Sequence, residues 1–259
     1  FEGAAARRAL TRQFDTHDLT AFGIERLPAA VSAAGALIEY ARATQGNSIS
    51  HVTGLSVEDS ATYIGIDPAT RRNLEISETI RGEAAPTLLS LFDTCATGMG
   101  SRLLRQWLLE PARDRSVALQ RLDAIRALQG PSGQGRWSSL RQSLKGMSDV
   151  QRISARTALR QVRPRELVAL GLALQRAQHL RPWLQHDSAL QAIEAGLQTP
   201  PGLADLLQRA LLPEPAALVR DGGVINHGHD AEQEGAQPSQ ASPAPAHVAL
   251  VAEAFCIGG

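Results

Sequence analysis

Lysine is almost missing from this chain: Lys145 is the only one, and every other basic side chain is an arginine. Codon bias accounts for that skew more simply than function does, although a guanidinium suits phosphate contacts. Aromatic residues are also scarce, at 4%. A core must therefore be assembled from Leu, Ala, Val and Ile, which favours helices over a β-sandwich. Only two cysteines occur, Cys95 and Cys256, far apart in the chain. That excludes a disulfide framework and fits a reducing cytoplasm, the expected location. Cys95 stands among apolar neighbours and reads as a small buried hydrophobe. No apolar run approaches the roughly 20 residues that cross a bilayer, and no signal peptide is read. Net charge is absent too: 26 Lys and Arg balance 26 Asp and Glu. No global field then draws the chain to nucleic acid, so any such contact must be local. What remains is 43% hydrophobic over 259 residues, enough for one large domain or two small ones.

Catalytic signatures are missing as well. Lys145 is followed by glycine and lacks the rest of a GxxxxGK[ST] phosphate loop, and no G-x-S-x-G nucleophile elbow occurs. His227, His229 and Asp230 lie close together, but no cysteine or further His or Glu completes a ligand set, and the stretch reads as a turn. Asp187 beside His186 reads as surface. Trp107, Trp137 and Trp183 are isolated, whereas a base-stacking platform needs aromatics interleaved with basic residues. Trp107 reads as core, because it shares helical spacing with Leu103, Leu104 and Leu108. Arg152, Arg156 and Arg160 are spaced by four, with Arg163 and Arg165 just beyond. The stripe suits phosphates or acidic partners, and equally a solvated face paired with Asp149 and Glu166. No residue is assigned a catalytic, cofactor-binding or metal-binding role, and no nucleic-acid-binding residue is singled out.

Local chemistry places the elements. Helices are expected over Ala4–Phe14 and Pro28–Thr44, the second with Val31, Ala34, Leu37, Ile38 and Ala41 on one face. The polar stretch His51–Ser60 reads as a linker. The chain is organised around Tyr63 to Pro111. A short β-like run, Tyr63 to Ile66, leads to Asp67, a helix cap with Pro68 in the first helical position. Leu74 and Ile76 begin an apolar face, and Leu88, Leu89, Leu91 and Phe92 form a second apolar cluster. Thr97 caps a helix ended by Pro111. Asp114 caps another, with Val117, Leu119, Leu122, Ile125 and Leu128 inward. A helix through Leu140 and Leu144 follows, then one opened by a Ser148–Gln151 capping box. Pro164 starts the next, with Leu167, Leu170 and Leu174 inward. Further helices fall around His186–Leu197 and Leu203–Leu212, and the adjacent glycines after Asp221 suit a tight turn.

Three long, non-repetitive words carry a resemblance: DPATRRNLEI at Asp67 to Ile76, TLLSLFD at Thr87 to Asp93, and GMGSRLLRQWL at Gly98 to Leu108. They resemble the start of the core, or lever, domain of the MutS family of DNA mismatch repair proteins. DVQRISARTALRQVRPRELVAL, from Asp149, resembles the same family, and RRALTRQFDTHDLTAFGIERLPAAVSAAGALIEYARATQ, from Arg7, resembles the end of its connector domain. The particular word DPATRRN suggests, on the resemblance alone, an interdomain structural role for Arg71 and Arg72. At about Gln233 the resemblance stops in a Pro, Ala, Ser and Gln-rich stretch.

The expected fold is mainly α: a multi-helix core domain, a partial connector segment and a short β run. The expected division is 1–50 connector end, 51–232 core or lever, and 233–259 an off-family tail, disordered or frame-shifted. Beginning at Phe1 without methionine, the chain reads as a piece cut from something longer. The resemblance implies a non-catalytic role, helices that couple an ATPase module to a DNA clamp in mismatched-DNA binding. It implies ATP and Mg as cofactors of the full-length family, with none in this segment. It also implies mismatched double-stranded DNA, a homodimer and downstream MutL-like repair proteins as partners. The family's Phe-x-Glu mismatch wedge is not carried over, because no Phe here is followed two residues later by Glu. An independent helical scaffold that binds protein partners is the alternative, and an enzyme with an unrecognised site a third reading. A core without neighbouring modules would expose apolar helix faces, which invites association.

Overall fold

A computed structural model gives the fold and describes residues 2–45, 49–57, 60–133, 135–185 and 187–226. Among these residues there are eleven α-helices and only isolated β-bridges, so the chain is mainly α. Among the described residues two compact units form, one holding residues 2–57 with 152–162, the other 60–151 with 163–226.

The first unit is built on two helices, α1 (Gly3–Phe14) and α2 (Pro28–Thr44). Pro28 opens α2, where its missing amide proton costs nothing. Ala6, Leu10, Leu19, Ile24, Val31, Ile38 and Ile49 make the core, with Phe14 stacked near Phe22 at 4.9 Å between ring centroids. Close approach depends on Gly35, where a Cβ would fall 2.5 Å from Ala6 Cα. The apolar face is narrower than periodicity predicts. Val31 and Ile38 are buried, but Leu37 is exposed and the crossing is made by Gly35 instead.

The second unit begins with Asp67, whose carboxylate accepts from the amides of Ala69 and Thr70 and so starts α3 (Pro68–Asn73). Thr87 and Ser90 form a reciprocal capping box on α4 (Leu88–Phe92). Helices α5 (Gly98–Leu109) and α6 (Arg115–Gln129) follow, capped by Thr97 and Asp114. Then come α7 (Trp137–Leu144), the long α9 (Pro164–Leu184), α10 (Gln191–Gly196) and α11 (Leu203–Ala210), while α8 (Val150–Ala158) has its first two residues here and the rest in the first unit. One core gathers Ala124, Leu140, Leu180, Leu184 and Leu190. Against the other flank of α9, α11 packs so closely that a Cβ on Gly171 would sit 3.2 Å from Leu207 Cβ. The Ala204 carbonyl lies 3.8 Å from the same point, and Leu170 and Leu174 of α9 and Leu203 and Ala204 of α11 are buried.

Several expectations are corrected here. The β-like run Tyr63 to Ile66 makes one antiparallel bridge, Tyr63 with Ala112, rather than a strand. Leu88, Leu91 and Phe92 do not form a core cluster: α4 is a single short turn, and all three are exposed. Leu74 is exposed while Ile76 is buried, because the chain leaves α3 at Leu74 and passes through Glu75 at φ 47°. On α6 the inward side chains are Ala124, Ala127 and Leu128, whereas Leu119, Leu122 and Ile125 face out. The helix after Ser148 opens at Val150, and Gln151 accepts from Arg102 at 2.8 Å. The glycine turn is as read: Gly222 and Gly223 both have positive φ.

Candidate functional site

The most heavily anchored element is α5. Twelve residues give a rod of about 18 Å at 1.5 Å per residue. No residue of α5 is buried, so packing alone does not fix it. Polar contacts do so at both ends, all within the second unit.

At the N-terminal end, Thr97 Oγ1 accepts from the Gly100 amide at 3.1 Å. Asp93 Oδ1 accepts from the Ser101 hydroxyl at 2.9 Å and from the Cys95 amide at 3.2 Å. Those bonds, the Cys95 amide first, hold the Asp93 carboxyl below its ordinary range. A carboxylate beside the positive end of the helix dipole is also favourably placed. One turn on, Arg102 grips Asp149 in a two-pronged pair, Nη1 to Oδ2 at 2.6 Å and Nη2 to Oδ1 at 2.8 Å. The planar fork matches the carboxylate, which raises the Arg102 guanidinium further above its usual value. Arg102 thereby joins α5 to the start of α8, 47 residues later in sequence.

At the C-terminal end, α5 has no basic residue in its own last turn. Arg71 supplies one from α3, donating from Nη2 to the Leu109 carbonyl at 3.2 Å. A cation there offsets the negative end of the dipole. The chain beyond is clamped by the Ile64 amide on the Pro111 carbonyl and the Arg113 amide on the Thr62 carbonyl, both at 2.8 Å. Along the rod, the Arg121 guanidinium lies 3.7 Å from the centre of the Trp107 ring. Such a cation–π contact rigidifies the α5–α6 pair.

The residues named from sequence fall as follows. Arg71 has a partner inside its own unit, at the end of α5, while Arg72 is exposed. Trp107 is 38% exposed and Leu103 45%, so this stripe is a surface held by Arg121 and not a core. Cys95 is exposed and not a buried hydrophobe, although partial desolvation and then the Asp93 carboxylate push its thiol up. The arginine stripe is broken. α8 stops at Ala158, and Arg160 lies past the end at φ 55°, in the left-handed turn that closes the helix. Asp149, read as a partner for that stripe, receives Arg102. Arg165 Nε donates to the Pro215 carbonyl. His186, His227, His229, Asp230, Cys256 and the stretch 233–259 lie outside the described residues. Among the described residues no group of three or more His, Cys, Asp or Glu is placed to hold a metal. No described helix is long and apolar enough to cross a membrane.

Sequence reasoning missed Arg102 and Arg121. The patterns in α5 and α6 gave a signal for neither, because each pairs with a side chain on another element.

Comparison with known families gives two matches: MutS domain II over residues 1–53, and MutS domain III over residues 69–255. The second covers most of the chain and runs beyond the last described residue.

Proposed function

The chain belongs to the MutS family of mismatch repair proteins, and on that premise we propose that it is a mechanical part of such a protein. Residues 51–232 serve as the lever and residues 1–50 as the end of the connector. The lever passes movement between a nucleotide-hydrolysing module and a DNA clamp, both supplied elsewhere in the assembly. The chain itself carries out no chemical step. One observation carries this reading: α5 is a rod fixed at both ends by directional polar contacts, Asp93, Thr97 and Arg102 at one end and Arg71 at the other. Transmission needs packed elements with discrete arrangements, and stiff, end-anchored helices fit that need better than reactive groups do. The role brings with it mismatched double-stranded DNA, a second MutS copy and MutL-like proteins as partners. It also implies ATP with Mg in the hydrolysing module, and work in the cytoplasm.

The test is a coupling measurement. In the assembled protein, affinity for a mismatched duplex is titrated with and without ATP, for the native sequence and for Arg102→Gln. Coupling between two sites is typically 5–150-fold in affinity. The substitution should shrink that factor while leaving each separate affinity within about twofold of native, the pattern expected of a coupling element. Undiminished coupling in Arg102→Gln would overturn the proposal. The purified chain alone should show no ATP turnover and weak DNA binding, and turnover that tracks with the chain through repurification would equally overturn it.

An independent protein-binding scaffold is the second reading. The exposed Leu119, Leu122 and Ile125 of α6 favour it, since a helix face of that kind suits a partner.

A further inference from the structure

The α5 rod makes no use of the corner where α7 meets α9. There the end of α7 brings Gln142, Ser143 and Lys145 toward Arg176, His179 and Trp183 of α9, around a cavity of about 320 Å³. The three α9 residues fall at helical spacing and so share a face. Arg176 Nη1 donates to the Lys145 carbonyl at 3.0 Å, which ties the two elements together at the cavity. Gly146, at φ 69°, turns the chain away just after Lys145. Among the described residues, neither Lys145 nor Arg176 takes part in an ion pair.

The sequence makes this corner electrostatically one-sided. The chain as a whole is neutral, yet no Asp or Glu occurs from Ala124 to Ser148 or from Leu167 to His186. Among the described residues no carboxylate lines the cavity. Glu194 of α10 is taken by Arg181 at 2.8 Å. His179 Nδ1 lies 2.7 Å from the Gln175 carbonyl, which only accepts, so Nδ1 carries the proton. Lys145 and Arg176 supply the standing positive charge. Trp183 offers a half-exposed ring beside it, over a floor formed by buried Leu180.

We propose that this corner is a binding site for a nucleotide monophosphate unit, with Lys145 and Arg176 on the phosphate and Trp183 against the base. Adjacent cations without a competing carboxylate select a phosphate. The indole selects a flat ring, because bases stack on aromatic side chains with little regard to sequence. The volume sits at the small end of the roughly 300–1,000 Å³ typical of small-molecule sites, which suits one nucleotide unit and not a duplex. Gln142 and Ser143 add hydrogen-bonding capacity at the rim.

The experiment titrates the purified full chain with adenosine 5′-monophosphate, inorganic phosphate and adenosine, read by calorimetry at low salt. The monophosphate should bind about tenfold or more tightly than either of its halves, given what stacking and charge-assisted bonds contribute. Lys145→Gln and Arg176→Gln should each weaken it about tenfold, with Arg176→Lys recovering part of the loss. Trp183→Leu should abolish the preference over inorganic phosphate while Trp183→Phe keeps it, and the Phe variant guards against a simple folding defect. A 5′-phosphorylated hexathymidylate distinguishes the source. Competition at the same residues and tighter than the monophosphate assigns the unit to a strand end, and equal or weaker competition assigns it to a free nucleotide. Equal binding of monophosphate and inorganic phosphate by the native chain overturns the proposal. So does an affinity for the monophosphate that none of the substitutions changes.

Discussion

Gly35→Ala tests the packing argument at its sharpest point, because propensity and packing predict opposite signs. In a helix interior, alanine is favoured over glycine by about 1 kcal/mol. On that ground alone the substitution in α2 should stabilise. The structure says otherwise: the new Cβ would lie 2.5 Å from both Cα and Cβ of Ala6 and 2.9 Å from its carbonyl oxygen. Carbon atoms rest at about 3.5–4.0 Å, so α1 and α2 must part by about 1 Å. A gap of that size forfeits a quarter to a half of each affected contact's attraction. The contacts at risk are those of the whole two-helix core, including Leu10, Val31 and Ile38. Overpacking costs about 1–3 kcal/mol, and a clash with backbone atoms that cannot swing aside stands in the upper part, about 2–3 kcal/mol, so after the propensity gain the net loss is about 1–2 kcal/mol. Hydrogen exchange resolved to peptides is the assay, since the tryptophans all lie at or beyond position 107 and do not report on α1 and α2. Amides of Gly3–Phe14 and Pro28–Thr44 should exchange about 5–30 times faster, the population change that 1–2 kcal/mol produces. Peptides from α9 should not change, and Ala33→Gly, an exposed position in α2, calibrates the propensity effect. Unchanged or slowed exchange in Gly35→Ala refutes the close-approach reasoning.

Three further outcomes are expected. Thr97→Ala should destabilise α5 by about 1 kcal/mol through loss of its cap, with Thr97→Ser close to native, measured by exchange of the Gly100 and Ser101 amides. On acidification, Asp67, Asp93 and Asp114 should give up their share of stability. Each carboxyl is held below its ordinary value, led by bonding to the side chain of Thr70 for Asp67, the Cys95 amide for Asp93 and the Ser116 amide for Asp114. A depressed folded value means the contribution is complete above the unfolded value of about 3.9 and fades as pH falls through the lower folded ones. Urea midpoints should thus hold steady from neutral pH to about 5 and drop below about 4, and a drop confined to higher pH would contradict the assignment. Finally, Ala124→Leu should cost about 1–3 kcal/mol by overpacking, whereas Leu122→Ala should stay within about 0.5 kcal/mol, both read from urea melts followed by tryptophan fluorescence.

Much of the helical framework was legible because its determinants are local. Asp67, Thr97 and Asp114 cap the helices they were expected to cap, and Pro28 and Pro164 open theirs, since a cap needs only a side chain two or three residues from the amide it binds. The words that resembled MutS were legible for another reason: long, irregular strings identify a family without any account of their packing. The anchors of α5 were not legible. Arg102 meets Asp149 across 47 residues and Arg71 meets Leu109 across 38, and nothing in helical periodicity ranks one distant partner above another.

Periodicity failed in one consistent way, and α6 shows why. Its sequence carries two apolar stripes a fraction of a turn apart, Ala124 with Leu128 and Leu119 with Leu122 and Ile125. Reading by size selects the second together with Leu128 and passes over Ala124, since larger side chains gain more from burial. The fold buries the first, because Ala124 lets Leu140, Leu180 and Leu184 approach closely, as Gly35 does for α1 and Gly171 for α11. Small residues mark where helices of one unit meet, and bulky ones left outside mark faces that the unit does not itself cover. Leu103 and Trp107 on α5, with Leu119, Leu122 and Ile125 on α6, all belong to the second kind. The lever role we propose needs faces of that kind to press on other modules, and it also needs a rod that does not yield when pressed. The ion pair and caps that fix α5 supply the second requirement without burying the residues that meet the first.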